Sequence, residues 1–364
     1  MNKTDDRARR KQENGDSAVS GLVAPKKNVT MRQVAEKAGV GLKTVSRVIN
    51  QEHYVTQETS DRVWKAIKDL HYQVDVRARS LRRSDGRTNA FGLIISSVTN
   101  PFAGQVQSSI EDTLRVKNYT LITGSSHEDP LQEAVIFKDL VSRRVDGIIL
   151  SSADSDPRNL KMAESLNIPL TFIDRKPAGV PADYVTSDNR EASKSATLRL
   201  IEQGHRRIVL LTERLHVQTA MERQLGFRDA FVDAGIPFNQ KSVISELANK
   251  EEARKAVSVL LRQSERPTAI FSAQNFITIG ALHALYEAGL QHDIALIGFD
   301  DFDLFDLLDP GVSVISQNCV ELGKQAAQLM LNKVNSTDST VKSIVIPTTF
   351  IARGSGEIPP KPQV

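Results

Sequence analysis

Short apolar runs alternate with longer amphipathic stretches from Ala90 to the C-terminal tail, and this alternation constrains the fold more than any other feature. The runs Phe91–Ile95, Thr120–Thr123, Gly147–Leu150, Leu170–Ile173, Ile208–Leu211, Ala269–Phe271 and Ala295–Phe299 are rich in apolar and β-branched residues. Such runs predict strands buried on both faces. Between them, Pro101–Lys117, Leu131–Ser142, Arg190–Gln203, Thr219–Ala234, Glu251–Gln263 and Ile277–Ala288 repeat apolar residues at helical spacing. Such alternation predicts parallel sheets covered by helices. At roughly 270 residues the stretch is long for one open sheet, so two α/β lobes with a cleft between them are expected. Ligands of such sheets collect at the carboxyl ends of the strands.

The residues ahead of Ala90 follow a different pattern. Thr30 with Gln33 three residues later forms a capping-box signature, and Met31, Val34, Ala35 and Ala38 make one apolar stripe that stops at Gly39. After the turn Gly39-Val40-Gly41 a second short helix runs from Leu42 to Asn50, with Val45, Val48 and Ile49 as its inner side. Two short helices joined at a glycine turn form a helix-turn-helix. A third helix after Thr56 is expected to close a small core with Val63, Trp64, Ile67 and Leu70. Residues 75–83 could add a short helix capped by Asp75, with Arg77, Arg79, Arg82 and Arg83 around Leu81, but so charged and short a segment would scarcely fold unaided. The expected organisation is a disordered basic tail over 1–27, the helix-turn-helix over 28–74, a hinge and linker over 75–89, a two-lobed ligand-binding and dimerisation domain over 90–356, and a short tail over 357–364.

Charge divides along the same boundary. Met1 to Thr88 holds 19 Lys+Arg against 11 Asp+Glu, a surplus of +8, whereas the remainder holds 28 against 33, or −5. A basic head on a mildly acidic body points to a polyanion partner for the head alone, because clustered cations release counterions from nucleic acid; a solvated basic face is the plain alternative. The single cysteine, Cys319, excludes an intrachain disulfide and has no zinc-spaced neighbours. With no apolar stretch near the ~20 residues of a membrane helix and no apolar signal core at the start, a cytoplasmic protein is expected.

The segment from Val29 to Arg83 resembles the N-terminus of the lactose-repressor-type (LacI/GalR) regulators, through VTMRQVAEKAGVGLKTVSRVIN, YVTQETSDRVWKAIKDLHY and ARSL. The body is similar to that family's periplasmic-binding-protein-like domain at NPF (100–102), RRVDGIIL (143–150), GHRRI (204–208), RPTAIF (266–271) and IGFDD (297–301). The resemblance implies that the second helix lies in the major groove of a palindromic operator, with Leu42, Lys43 and Arg47 at base edges. Lys43 and Arg47 can donate to guanine O6 and N7, and Leu42 can meet a thymine methyl. Thr44, Ser46, Asn50, Tyr54 and Thr56 match phosphate-backbone positions, and Leu81 matches a leucine that wedges into the minor groove. Gly41 stands where the family usually has serine, and Val74-Asp75 where it commonly has Pro-Asn.

The same resemblance implies an effector site between the lobes at Phe102, Asp174, Thr219, Arg223, Asn275, Asp300 and Gln317. An aromatic face with paired donors and acceptors suits a polyhydroxylated effector, a sugar or sugar derivative. Leu247 and Val217 replace an aromatic and an arginine of certain relatives, which argues against a purine, while Arg175 and Lys176 beside Asp174 leave room for an anionic sugar acid or phosphate ester. A repressor acting as a homodimer is expected, with no cofactor, metal or catalytic residue. An enzyme is the rival from another class, but no G-x-S-x-G elbow, phosphate loop, H-E-x-x-H or dinucleotide fingerprint occurs. His205 reads as structural. A transporter's solute-binding protein would have no use for Thr30 to Arg83, and a regulator answering to a protein partner is the remaining alternative.

Overall fold

The computed structural model describes residues 29–49, 52, 54–72, 87–153, 158–176, 181–335 and 340–361. The expected tail over 1–27, the hinge helix, Asn50 and Leu81 lie outside the described residues. The chain forms two compact units, residues 1–82 and 83–364.

In the first unit, α1 (Met31–Ala38), α2 (Leu42–Ile49) and α3 (Gln57–Asp69) enclose one core. The capping box forms as the sequence predicts, with Thr30 N–H donating to Gln33 Oε1 at 2.8 Å, and Gly39 ends α1 at φ 63°. Val34, Ala35 and Ala38 meet Val45, Val48 and Ile49 of α2 and Val63, Ala66 and Ile67 of α3. Trp64 does not join them and is 44% exposed, a correction to the expected core. The buried stripe takes positions 63, 66, 67 and 70, and residue 64 lies one step of about 100° off it.

The second unit holds two six-stranded sheets. Lobe A is built from β1 (Ala90–Ile95), β2 (Thr120–Ser125), β3 (Gly147–Leu150), β4 (Leu170–Ile173), β5 (Tyr184–Ser187) and β11 (Ser343–Ile346), all parallel in the order β11-β5-β4-β3-β1-β2. Lobe B is built from β6 (Ile208–Leu211), β7 (Val243–Ile244), β8 (Ala269–Ser272), β9 (Ala295–Phe299), β10 (Ser313–Ser316) and β12 (Thr349–Ile351), in the order β12-β10-β9-β8-β6-β7. Only β12 runs antiparallel to its neighbour. The covering helices are α4 (Pro101–Arg115), α5 (Pro130–Ser142), α6 (Arg158–Ser165), α7 (Asn189–Glu202), α8 (Gln218–Asp233), α9 (Lys250–Leu261), α10 (Asn275–Glu287) and α11 (Cys319–Asn335).

The seven expected strands and six expected helices are all present, within a few residues at their ends. No expected element corresponds to α6, α11, β5, β7, β10, β11 or β12. Of these α11 matters most, because a late segment returns to lobe A: its Leu322, Ala326 and Met330 pack with Val106, Ile110 and Leu114 of α4 over β1. The chain therefore crosses between lobes three times, after β5, after β10 and after β11. The crossings are tied together, with Ser187 Oγ donating to Gln317 Oε1 at 2.5 Å and Thr348 N–H to Asp188 Oδ1 at 2.9 Å. No helix among the described residues is long and apolar enough to cross a membrane.

Candidate functional site

The outward face of α2 is the first candidate surface. Gly41 opens the helix by accepting from Thr44 N–H at 2.9 Å and Val45 N–H at 3.2 Å through its carbonyl. Because Val45, Val48 and Ile49 turn inward, Leu42 and Lys43 stand exposed on the opposite side, with Thr44, Ser46 and Arg47 half-buried beside them. With its side chains an α-helix is ~10–12 Å across, which suits the ~12 Å width of a major groove. Arg47 Nε lies 3.6 Å from Glu52 Oε2. A pair this exposed holds weakly, so the guanidinium can leave it for a base. Tyr54 is 86% exposed. Thr56 is committed locally, since its hydroxyl caps α3, accepting from Thr59 N–H at 3.4 Å and donating to Thr59 Oγ1 at 2.9 Å.

The second candidate is a cavity of about 220 Å³ between the lobes. It is lined by residues that follow strand ends: Ser96 and Ser97 after β1, His127 and Glu128 after β2, Asp174 and Arg175 after β4, Glu213 after β6, Gln274 after β8, Asp300 after β9 and Gln317 after β10. Parallel strands in each lobe all end on the side where the lobes face, which is why residues far apart in sequence converge. Helix starts add Asn100, Phe102, Thr219, Arg223 and Phe276. Asp174 and Asp300 occupy equivalent places in the two lobes. Each leaves its strand with positive φ, 69° and 72°, and each donates its N–H to a neighbouring strand, to the Val185 and Ile315 carbonyls, both at 2.9 Å.

Arg223 is 3% exposed; its Nε donates to Asn189 Oδ1 at 2.8 Å, Nη1 donates to the Ala273 carbonyl at 2.6 Å, and the guanidinium lies 3.7 Å from the Phe299 ring centre. Gln317 donates to Asp300 Oδ1 at 2.7 Å while accepting from Ser187, so it belongs to both the cavity and a crossing segment. Six of the seven expected effector residues thus line one cavity. Asn275 does not line it: its amide donates across the cleft to Asn100 Oδ1 at 2.9 Å, linking lobe B to lobe A.

Arg175 also departs from its expected use. Its Nη1 and Nη2 hold Glu128 Oε2 and Oε1 at 2.6 and 2.8 Å, and Nη1 also donates to the Ser152 carbonyl at 2.8 Å. Lys176 is absent from the lining and lies 3.8 Å from Glu222. The room left for an anion is therefore taken by the protein's own carboxylates. Burial raises the carboxyls of Asp174 and Asp300 above their ordinary range, against the pull of Arg175 and Arg223 on the first and of Arg223 on the second. Glu213 is pushed up to about 7, chiefly by burial, with Arg175 and Arg223 opposing and Glu128 and Asp174 adding.

A family model described as bacterial regulatory proteins, lacI family, matches residues 30–75, and one described as periplasmic binding proteins and sugar binding domain of LacI family matches residues 88–354. The chain belongs to the LacI family. As a LacI-family protein it is a DNA-binding transcriptional regulator with an effector-binding domain. It is 32% identical over 330 residues to the HTH-type transcriptional repressor PurR of Erwinia tasmaniensis, covering 90% of this chain and 96% of that one. It is 30% identical to the ribose operon repressor of Haemophilus influenzae, covering 90% and 98%. These relatives are regulators and not enzymes. A solved complex of the transcriptional regulator CelR with cellobiose superposes with a TM-score of 0.68 at 27% identity, over 90% of this chain and 100% of that chain. The lac repressor dimer bound to operator and the anti-inducer ONPF shares the fold at a TM-score of 0.80 and 23% identity, over 91% and 99%.

Several lining residues of this LacI-family cleft escaped the sequence reading: Glu128, Arg175 as an internal partner, Glu213, Gln274 and Phe276. Glu213 and Glu128 follow the predicted strands β6 and β2 by only two and three residues, and that position at a strand end was the signal available.

Proposed function

We propose that this regulator represses genes of carbohydrate uptake or breakdown, and that a small polyhydroxylated effector in the inter-lobe cleft sets its affinity for a palindromic operator. On this reading Leu42, Lys43 and Arg47 read bases, Thr44, Ser46, Asn50, Tyr54 and Thr56 hold the phosphate backbone, and Leu81 enters the minor groove. Phe102, Asp174, Thr219, Arg223, Asp300 and Gln317 hold the effector, while Asn275 latches the lobes through Asn100. The protein works as a homodimer in the cytoplasm, since one helix-turn-helix covers a half-site only.

The observation that carries the reading is the convergence of strand ends from both lobes on one polar, aromatic-edged cavity, in a chain whose helix-turn-helix turns Lys43 and Arg47 outward. Gln317 gives the coupling a route. An effector that competes for Asp300 or Gln317 alters the Gln317 to Ser187 bond between two crossing segments, and lobe closure changes with it. Effector and operator then change one another's affinity by the same factor, a coupling of typically ~1–3 kcal/mol.

The test is selection from a random duplex library, followed by binding to the selected site at several salt concentrations with and without a panel of sugars. An enriched palindrome, relaxed in specificity by Arg47→Ala and shifted severalfold in affinity by a panel member, is the expected result. Binding that enriches no sequence and only weakens with salt overturns the operator reading.

A further inference from the structure

We propose that the effector carries an amine, so that the cleft takes a cationic polyol such as an amino sugar in preference to a neutral sugar or a sugar acid. This rests on the reading of the cleft as the effector site. Four carboxylates line the cavity, Glu128 and Asp174 from lobe A and Glu213 and Asp300 from lobe B, against two guanidinium groups, Arg175 and Arg223. One pair cancels internally, because Glu128 takes both terminal nitrogens of Arg175. Asp174, Glu213 and Asp300 are then left with Arg223 and with the pull of an Arg175 already committed to Glu128, and Arg223 spends Nε and one terminal nitrogen on Asn189 and the Ala273 carbonyl.

The acceptors, by contrast, are largely unspent. Asp300 is 5% exposed, and only its Oδ1 accepts a hydrogen bond from a described residue. Asp174 has Arg175 Nε no nearer than 3.5 Å, and the Glu213 carboxylate accepts no hydrogen bond among the described residues. Burial with too few cations disfavours the charged form of these acids, and a cation entering the site restores it. Phe102 of lobe A and Phe276 of lobe B supply aromatic walls, which favour a cation further. Thr219 and Gln274, which line the same space, offer donors for hydroxyls on the same ligand. An ammonium on a polyol satisfies both sets, whereas a carboxylate or phosphate meets Asp174, Glu213 and Asp300 with like charge.

The groups facing Glu213 are Glu128, Asp174, Arg175 and Arg223, with His127 on the same cavity wall. Preference for the amine should therefore strengthen between pH 6 and pH 8, as the Glu213 proton is lost.

The experiment is calorimetric titration of the full-length protein with matched triplets at pH 6 and pH 8: glucose, glucosamine and glucuronate, and the galactose equivalents. The expected result is an amine bound at least tenfold more tightly than its neutral parent at pH 8, less so at pH 6, with the acid undetected. Glu213→Gln should narrow that ratio severalfold and raise the melting temperature of the ligand-free protein at pH 8, which also shows that the variant folds. A neutral sugar or acid bound as tightly as its amine, with binding lost in Arg223→Ala, overturns the amine inference and leaves the effector cleft standing. A ratio unchanged in a folded Glu213→Gln overturns the charge argument. No binding by any member, with operator affinity unmoved by all of them, removes the effector reading and this inference with it.

Discussion

Arg223 is the residue whose loss the structure prices most directly. Arg223→Ala deletes two charge-assisted hydrogen bonds, to Asn189 and Ala273, and a stacked contact with Phe299. Hydrogen bonds to charged groups contribute about 1.5–3 kcal/mol each, and a desolvated cation over a ring up to about 2. These overlap and do not add in full, but the substitution also strands the buried Asp300 carboxylate beside Asp174. Two such bonds and the ring contact, discounted for their overlap, put the cost at about 3–5 kcal/mol. For a unit of this size that lowers Tm by roughly 10 °C, at about 2–4 °C per kcal/mol. The assay is thermal unfolding of wild type, Arg223→Ala, Asp300→Asn and the double variant. Neutralising the stranded carboxylate should recover part of the loss, so the double variant melts above Arg223→Ala. Arg228→Ala, on the exposed side of the same helix, should shift Tm by no more than about 2 °C. An Arg223→Ala protein that melts within about 2 °C of wild type, or a double variant that melts lower still, refutes the account of Arg223 as the cation that holds these acids.

Further outcomes follow from other parts of the molecule. Lys43→Ala and Arg47→Ala should each cost about 1–3 kcal/mol at the selected operator and relax preference at one base position, read by competition binding against single-base variants of the site. His205 is fully buried, its Nε2–H donating to the Ile358 carbonyl and its Nδ1 accepting from Thr268 Oγ1, both at 2.9 Å. Burial holds its pKa below the ordinary value of 6.5, the Ile358 bond opposing. The unfolded chain therefore takes up the proton first as pH falls through 6.5, and stability drops; melting from pH 7.5 to 5 should show a shallower slope for His205→Gln than for wild type. Gly226→Ala should destabilise by about 1–3 kcal/mol in a thermal melt, because a Cβ there would stand 2.1 Å from the Arg190 carbonyl where α7 and α8 cross, and that backbone has nowhere to move.

The sequence by itself determined the elements whose causes are local. The capping box of Thr30 and Gln33, the stop at Gly39 and the inward stripe of α2 depend on residues three or four apart, and all are found as read. The buried strands β1, β3, β4, β6, β8 and β9 were equally legible, because a run shielded on both faces has to be apolar throughout. The likeness to a known family then carried Asp174, Arg223, Asp300 and Gln317 to one cavity before their neighbours were visible. Trp64 was misplaced for a local reason too: it was counted on one face with Val63, Ile67 and Leu70, while helical phase gave the place to Ala66.

Only the tertiary structure decided what depends on which strand ends face one another. That α11 returns to lobe A, that Gln317 binds both Asp300 and Ser187, and that Glu128 takes up the guanidinium of Arg175 are contacts between residues from 17 to more than 200 positions apart, Ser109 and Val320 being 211 apart. No periodicity encodes such pairings, because they are set by strand order and by the three crossings between lobes. The charge of the cleft changed meaning for the same reason. In the sequence Arg175 and Lys176 offered a place for an anion, but the fold turns one to Glu128 and keeps the other out of the cavity, leaving carboxylates to face the ligand.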